Sequence, residues 1–457
     1  MRPGRLRAAL LLALLGLGVP GAPAAGKKTP RKAAPKSAPP RTSASGKAAS
    51  KKPTRKASGR KAQARKPAKP VKPGEITPGV AVVEYPAALE GVFARLEALE
   101  KGQGEAGVVR ILHFGDSHVA SDHLTGRLRS LLHQRFGDAG PGFLMPARPW
   151  RGYPHAGLVQ HIGRKWPAFS LRSKEADGLF GLAGAAVTIP EGETYQVTGP
   201  FTGFRVQTLG PGVEAPLITV ADPAGAPLPL ALASRTEAVP GERQLQSFSQ
   251  TGLGAAGPLE LSVALPGSTR LLGVELLSGR PGIQYDELGL DGAALFDLEK
   301  WDPDLCRLLL AGARPDLIVL AYGANDLGRP DMGWDAYRAR AEALVRRLKA
   351  ESGASVLLVA PTDMAARRRR SAAPLAQRAK AICEALRQVA LDTGSAFWDA
   401  RSAMGGPGSI LAWRKAHLAQ RDLVHFTPAG YQRLGDLLFG SLMEGYQAFR
   451  GSRAGAP

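Results

Sequence analysis

The sequence predicts an α/β protein built on a parallel sheet and interrupted by a β-rich insert. Two observations carry this prediction. The short runs "VVRILHF", "PDLIVLAYGAND", "ASVLLVAPTD" and "SAFWDA" are almost wholly apolar and alternate with segments of helical spacing. That is the texture of strands buried on both faces beneath crossover helices. Between residues 151 and 283 the texture changes to short alternating runs separated by Gly and Pro, namely "TYQVTG", "GFRVQTLG", "PLITVAD", "LELSVALPG" and "RLLGVELLSG". Many short strands at close spacing point to a β-sandwich or jelly roll.

The elements follow in order. Residues 1–25 read as a secretory signal peptide: Arg2, Arg5 and Arg7 form the positive region, Ala8 to Val19 the apolar core, and Ala22-Pro23-Ala24 the small-residue cleavage site. The apolar core is too short to span a bilayer, so the expectation is an exported protein, periplasmic or associated with the cell envelope. Residues 26–76 are a Lys/Ala/Pro-rich linker without aromatic residues, expected to be disordered because it cannot bury enough apolar surface to fold. Residues 77–150 hold a helix ("AALEGVFARLEALEKG"), the strand "VVRILHF", a helix from Ser121 to Phe136, and a Gly/Pro-rich breaker. The β-rich insert occupies residues 151–283. From 284 to 457 the α/β pattern resumes with helices over "DPDLCRLLLAGA", "MGWDAYRARAEALVRRLKAES" and residues 374–392.

Charge is distributed very unevenly. Of the 60 Lys and Arg in the 457 residues, 17 fall in residues 26–74 with no acid, and Arg2, Arg5 and Arg7 are three more. The other 40 face 39 Asp and Glu, so the folded part is close to neutral and specific nucleic-acid binding is not expected. The basic tail is either a solvated spacer or a tether to an anionic surface. Cys306 and Cys383 fit neither a disulfide-rich framework nor a metal site, and read as buried thiols, although export would permit one disulfide.

Three features carry possible chemistry. Ser117 follows the apolar run "ILHF", Asn325 lies in "YGAND" after another apolar run, and Asp422 and His425 stand in "RDLVHFTPAGY" before a C-terminal helix. Parallel α/β sheets place active residues at the carboxyl ends of strands. A serine hydroxyl becomes a nucleophile when an imidazole takes its proton, and the imidazole needs a carboxylate to fix its tautomer. Spacing of three puts Asp422 and His425 in one turn, and the Asn325 amide with backbone N–H groups is able to hold an oxyanion. His113, His118 and His123 recur every five residues but run across strand, loop and helix, which disfavours a shared metal. Arg367 to Arg370 read as a solvated loop or a contact to wall carboxylates. Trp398 and Trp413 read as core, with a sugar cleft as the alternative.

"HFGDSH", "AYGAND" and "DLVHFTPAGY" resemble the first, third and fifth sequence blocks of the SGNH (GDSL-type) hydrolase superfamily. The resemblance implies a flavodoxin-like three-layer α/β/α sandwich. It implies Ser117 as nucleophile, His425 as base and Asp422 as its orienter, with the Ser117 N–H and Asn325 in the oxyanion hole. For the glycine block, "ELGLDGAAL" places Gly292 as the oxyanion glycine, with Asp291 where many relatives carry Asn. Gly184 in "GLFGLAGAA" is the competing candidate. The layout also resembles exported peptidoglycan O-acetylesterases with an inserted carbohydrate-binding-like β-sandwich. That implies a serine esterase removing O-acetyl groups from a cell-wall polysaccharide, with no metal or organic cofactor. Two alternatives stay open. One is another SGNH activity: a lipase, an arylesterase, a different polysaccharide deacetylase or an O-acetyltransferase. The other is a non-catalytic wall-binding protein.

Overall fold

The computed structural model describes residues 79, 81–102, 107–147, 155–212, 214–254, 257–328, 332–366 and 372–454. The segments expected to be a signal peptide and a basic linker, and Arg367 to Arg370, lie outside the described residues. The first part contains helix α1 (Glu90–Glu100), strand β1 (Val108–Gly115), helix α2 (His123–Phe136) and the short β2 (Gly142–Leu144). Ten strands follow: β3 (Val159–His161), β4 (Ala168–Ser170), β5 (Ala185–Thr188), β6 (Tyr195–Gly199), β7 (Gly203–Gly210), β8 (Leu217–Ala221), β9 (Ala233–Val239), β10 (Arg243–Gln250), β11 (Leu259–Ala264) and β12 (Arg270–Leu277). The chain then alternates through β13 (Gly282–Gly289), α3 (Pro303–Ala313), β14 (Leu317–Ala321), α4 (Trp334–Ser352), β15 (Ser355–Val359), α5 (Ala372–Thr393) and β16 (Ala396–Trp398). It ends with the short α6 (Ala400–Ala403) and α7 (Ser409–Lys415) and the long α8 (Pro428–Ala454).

Five strands form a parallel sheet in the order β13-β1-β14-β15-β16. Ranked by chain order this is 2-1-3-4-5, the flavodoxin-like order, whose switch point lies between β1 and β14. The strands are apolar throughout because both faces are covered. Leu112 and Phe114 of β1, Ile318 and Leu320 of β14, and Val356 and Leu358 of β15 join one core, on the side of α3 to α5. Val109 and Ile111, Leu317 and Val319, and Leu357 and Val359 join the other, with α1, α2 and α8. Alternate residues pointing to opposite faces is the strand period of two.

The β-rich insert forms two antiparallel sheets. One runs β4-β5-β12-β7-β10-β9, with β2 also pairing with β12, and the other runs β3-β6-β11-β8. Its core, including Tyr195, Val197, Phe204, Val206, Leu261 and Val263, is continuous with the α3-to-α5 side of the parallel sheet. A buried ion network crosses the same seam. Arg110 on β1 donates from Nε to Asp286 on β13 at 2.6 Å and from Nη2 to Glu275 on β12 at 2.8 Å. Arg205 on β7 donates to the other Glu275 oxygen at 2.9 Å, and the Phe143 N–H on β2 donates to Asp286 at 2.7 Å. The guanidinium of Arg110 and its neighbour Arg205 outweigh the burial of Glu275 and hold its carboxyl below the ordinary value.

The structure adds strands the periodicity does not reveal. β13 carries Asp286 and Glu287, both wholly buried, so its sequence "GIQYDELG" lacks the apolar signature of its neighbours. β2 sits in the Gly/Pro-rich breaker, yet it joins the antiparallel sheet. Cys306 and Cys383 are both buried and unbonded to each other.

Candidate active site

Ser117 stands in the turn that leaves the carboxyl end of β1. The Asp116 carbonyl accepts the N–H groups of Val119 and Ala120 at 3.0 Å, so the chain doubles back at once. Gly115 permits this: a Cβ there would lie 2.2 Å from the Val119 side chain. Ser117 is left half-buried, at the open end of the sheet.

The loop before α8 brings its partner from the other end of the chain. Ser117 Oγ lies 2.9 Å from His425 Nε2, and His425 Nδ1 lies 2.8 Å from Asp422 Oδ2. With Nδ1–H donating to the carboxylate, Nε2 is the acceptor for the serine hydroxyl. The other Asp422 oxygen accepts the N–H groups of Val424 and His425, each at 3.0 Å. Burial alone would raise the Asp422 carboxyl, but the His425 and backbone hydrogen bonds outweigh it and hold it below the usual range. Leu423, between the two, has φ +63°, a left-handed conformation these bonds help to maintain.

The oxyanion candidates meet at the same sheet end. Asn325 follows β14, and its Nδ2 donates to the Ala293 carbonyl at 2.9 Å, with a longer 3.4 Å approach to Asp116 Oδ2. Gly292 lies in the turn after β13 at φ +72°. Neither its N–H nor that of Ser117 has an acceptor among the described residues. The rival glycine differs: the Gly184 N–H donates to the Gly181 carbonyl at 2.8 Å, and a Cβ at Gly184 would strike Leu171. The carboxyl ends of the adjacent strands β13, β1 and β14 therefore carry two N–H groups without an acceptor among the described residues and one amide that bonds the Ala293 carbonyl.

Ser117 and His425 line a cavity of about 280 Å³ together with Asp291, His123, Gln420 and Tyr431, among others. A larger cavity of about 450 Å³ elsewhere contains none of Ser117, Asn325, Asp422 or His425. Behind Ser117, Asp116 is buried and accepts the His118 N–H at 2.9 Å. Its burial, aided by Asp326 and Asp291, pushes its carboxyl up to about 7. Burial pushes the His118 imidazole down to about 3, and its Nδ1 shares a 3.2 Å hydrogen bond with Tyr431 Oη.

The remaining singled-out residues separate. His113 is buried inside the sheet against Tyr285 Oη at 2.6 Å, while His123 stacks on Tyr431. No cluster of three or more metal-ligating side chains occurs among the described residues. Trp398 and Trp413 are core residues, 1 % exposed, their indole N–H groups donating to Ser441 Oγ and the Met404 carbonyl. They line no sugar cleft. Sequence reasoning did not single out Asp116, Tyr431 or Gln420. The first looks like an ordinary turn Asp, and the other two acquire meaning only from the packing of α8 and its preceding loop.

Residues 249–433 match the GDSL-like lipase/acylhydrolase family model. That span runs from the end of β10 into α8 and includes Gly292, Asn325, Asp422 and His425; Ser117 lies outside it, on the far side of the insert. Among solved structures, a peptidoglycan O-acetylesterase is similar over 79 % of this chain and 97 % of its own, with a TM-score of 0.64 and 24 % identity. A lipase/acylhydrolase from Enterococcus faecalis is similar over 36 % of this chain and 77 % of its own (TM-score 0.27, 19 % identity). An acetyl xylan esterase is similar over 35 % and 81 % (TM-score 0.25, 17 % identity). No curated protein matches the chain. The family match over residues 249–433, together with the flavodoxin-like sheet order, makes this chain similar to the SGNH (GDSL-type) hydrolases, a group of ester hydrolases.

Proposed function

We propose that this protein is an exported serine esterase that removes O-acetyl groups from peptidoglycan through an acyl-enzyme. The observation that carries the mechanism is the hydrogen-bonded series Asp422–His425–Ser117, with contacts of 2.8 and 2.9 Å. Ser117 Oγ attacks the acetyl carbonyl carbon while its proton passes to His425 Nε2. The Ser117 and Gly292 N–H groups and the Asn325 amide stabilise the oxyanion. Collapse breaks the bond to the sugar oxygen, which takes the proton from His425. Water then attacks acetyl-Ser117 by the same route, releasing acetate and restoring the serine. The carboxylate of Asp422 stays ionised throughout and stabilises the imidazolium.

The substrate class rests on different support. The peptidoglycan O-acetylesterase likeness spans both the parallel sheet and the insert, at 24 % identity. The N-terminal apolar segment and the basic tail fit export to an anionic envelope polymer, and no helix among the described residues is long and apolar enough to cross a membrane. Acetate release from native O-acetylated peptidoglycan, measured beside acetylated xylan and longer acyl esters, tests the reading. Release from peptidoglycan that disappears in Ser117→Ala is expected. Turnover by Ser117→Ala equal to the wild type would remove the serine from the mechanism.

A further inference from the structure

Gly292 is not adjacent to open space. A Cβ on it would lie 2.8 Å from Nη2, 3.0 Å from Cζ and 3.4 Å from Nε of Arg172, so a guanidinium rests against the backbone of the candidate oxyanion turn. Arg172 belongs to the insert, in the turn between β4 and β5, and it is exposed. Its guanidinium makes no ion pair and donates no hydrogen bond among the described residues; its backbone N–H bonds Ser170 Oγ at 3.2 Å. The turn that carries it is firmly held. The Leu171 N–H donates to the Gly184 carbonyl at 3.0 Å, Lys300 Nζ donates to the Leu171 carbonyl at 2.8 Å, and the Ser173 N–H donates to the Ser170 carbonyl at 2.8 Å. Leu171 itself is buried against Gly184.

We propose that Arg172 forms a subsite for a carboxylate of the acylated polymer, placed by the insert beside Gly292 so that an acidic glycan is held with its ester at Ser117. This rests on the esterase reading above and deepens it. A planar guanidinium with unused donors is the group suited to paired hydrogen bonds with a carboxylate. The muramic acid unit carries such a group: its lactyl substituent, or the peptide attached there, stands on the same ring as the C6 ester. Asp291 lines the serine cavity one residue from Gly292, so an anionic substrate approaching unaided would meet like charge; the Arg172 cation offsets it.

The test uses the full protein and p-nitrophenyl acetate as a neutral substrate, with soluble ester-free muropeptides as competitive inhibitors. The muropeptides are used native and after carbodiimide amidation of their carboxyls. In the wild type, amidation should raise the inhibition constant about tenfold or more, the scale of one charge-assisted pair. In Arg172→Ala the native muropeptide should already bind that weakly and amidation should add nothing; Arg172→Lys should fall between. Turnover of p-nitrophenyl acetate should stay within about twofold, reporting an intact fold and an unaltered oxyanion site. Equal inhibition by native and amidated muropeptides, or an amidation effect that persists in Arg172→Ala, overturns the subsite, as does no inhibition of the wild type. Failure to release acetate from peptidoglycan would instead sink the proposed ester position, so the two failures are distinguishable.

Discussion

Replacing Asp422 with Asn isolates the role of one oxygen. Asp422 Oδ1 accepts two backbone N–H groups at 3.0 Å and holds the turn around Leu423, while Oδ2 faces His425 Nδ1 at 2.8 Å. In Asp422→Asn the amide oxygen keeps the backbone bonds and the NH2 takes the place of Oδ2. A donor now faces Nδ1, so Nδ1 becomes the acceptor and Nε2 carries the hydrogen, pointing it at Ser117. The imidazole is then unable to take the serine proton. The stabilisation of the imidazolium is lost as well: a unit pair about 4 Å apart is worth about 4 kcal/mol near a protein surface and about 1 kcal/mol in water. Asp422 and His425 are about one-quarter exposed, 24 % and 27 % for their side chains, so the pair lies between these limits. Adding the tautomer penalty gives a fall of about 10³–10⁴ in kcat, or about 4–5.5 kcal/mol of transition-state stabilisation. The assay is steady-state hydrolysis of p-nitrophenyl acetate, read with thermal unfolding. Asp422→Asn should melt close to the wild type, whereas Asp422→Ala loses the backbone acceptor and should melt lower. An Asn variant retaining more than a tenth of wild-type kcat would refute Asp422 as the group that sets the His425 tautomer.

The other predictions concern the oxyanion site, the seam and the buried carboxyl behind the serine. Asn325→Ala should lower kcat by about 10²–10³ with little change in KM, as for loss of one preorganised donor; a change in KM alone would contradict that role. Arg110→Met leaves Asp286 buried without its cation and Glu275 with Arg205 alone, and should cost about 3–5 kcal/mol in urea unfolding. Because the folded Glu275 carboxyl lies below its ordinary value of 4.5, its contribution is present above that pH and is lost as pH falls through the folded value. This acid-side loss should be smaller in Arg110→Met. Asp116 has the opposite sign: its folded carboxyl, at about 7, keeps a proton that the unfolded chain gives up near 3.8. Wild-type stability therefore falls between about pH 4 and 7 relative to Asp116→Asn, which does not ionise. The melting-temperature advantage of Asp116→Asn should grow across that window and then level; a constant difference from pH 4 to 8 would argue against a raised Asp116.

Much of this protein was readable before any fold was drawn, wherever the deciding interactions are local. β14 and β15 announce themselves because burial on both faces demands an unbroken apolar run, and Asp422 reaches His425 because three residues close one turn. "GDSH" after "VVRILHF" marks a strand end for the same reason. Tertiary structure decided what depends on distant segments. Ser117 and His425 are 308 residues apart and meet only because β1 and the loop before α8 end on one side of the sheet. β13 was invisible as a strand because Asp286 is neutralised by Arg110, a partner 176 residues away. Which glycine offers a free N–H followed from the backbone bonds of Gly184 and Gly292, and Arg172 reached the site only through the turn that the insert folds around Leu171. Periodicity encodes which face of an element is buried, whereas the strand order that brings separate faces and loop ends together emerges only when the whole chain packs.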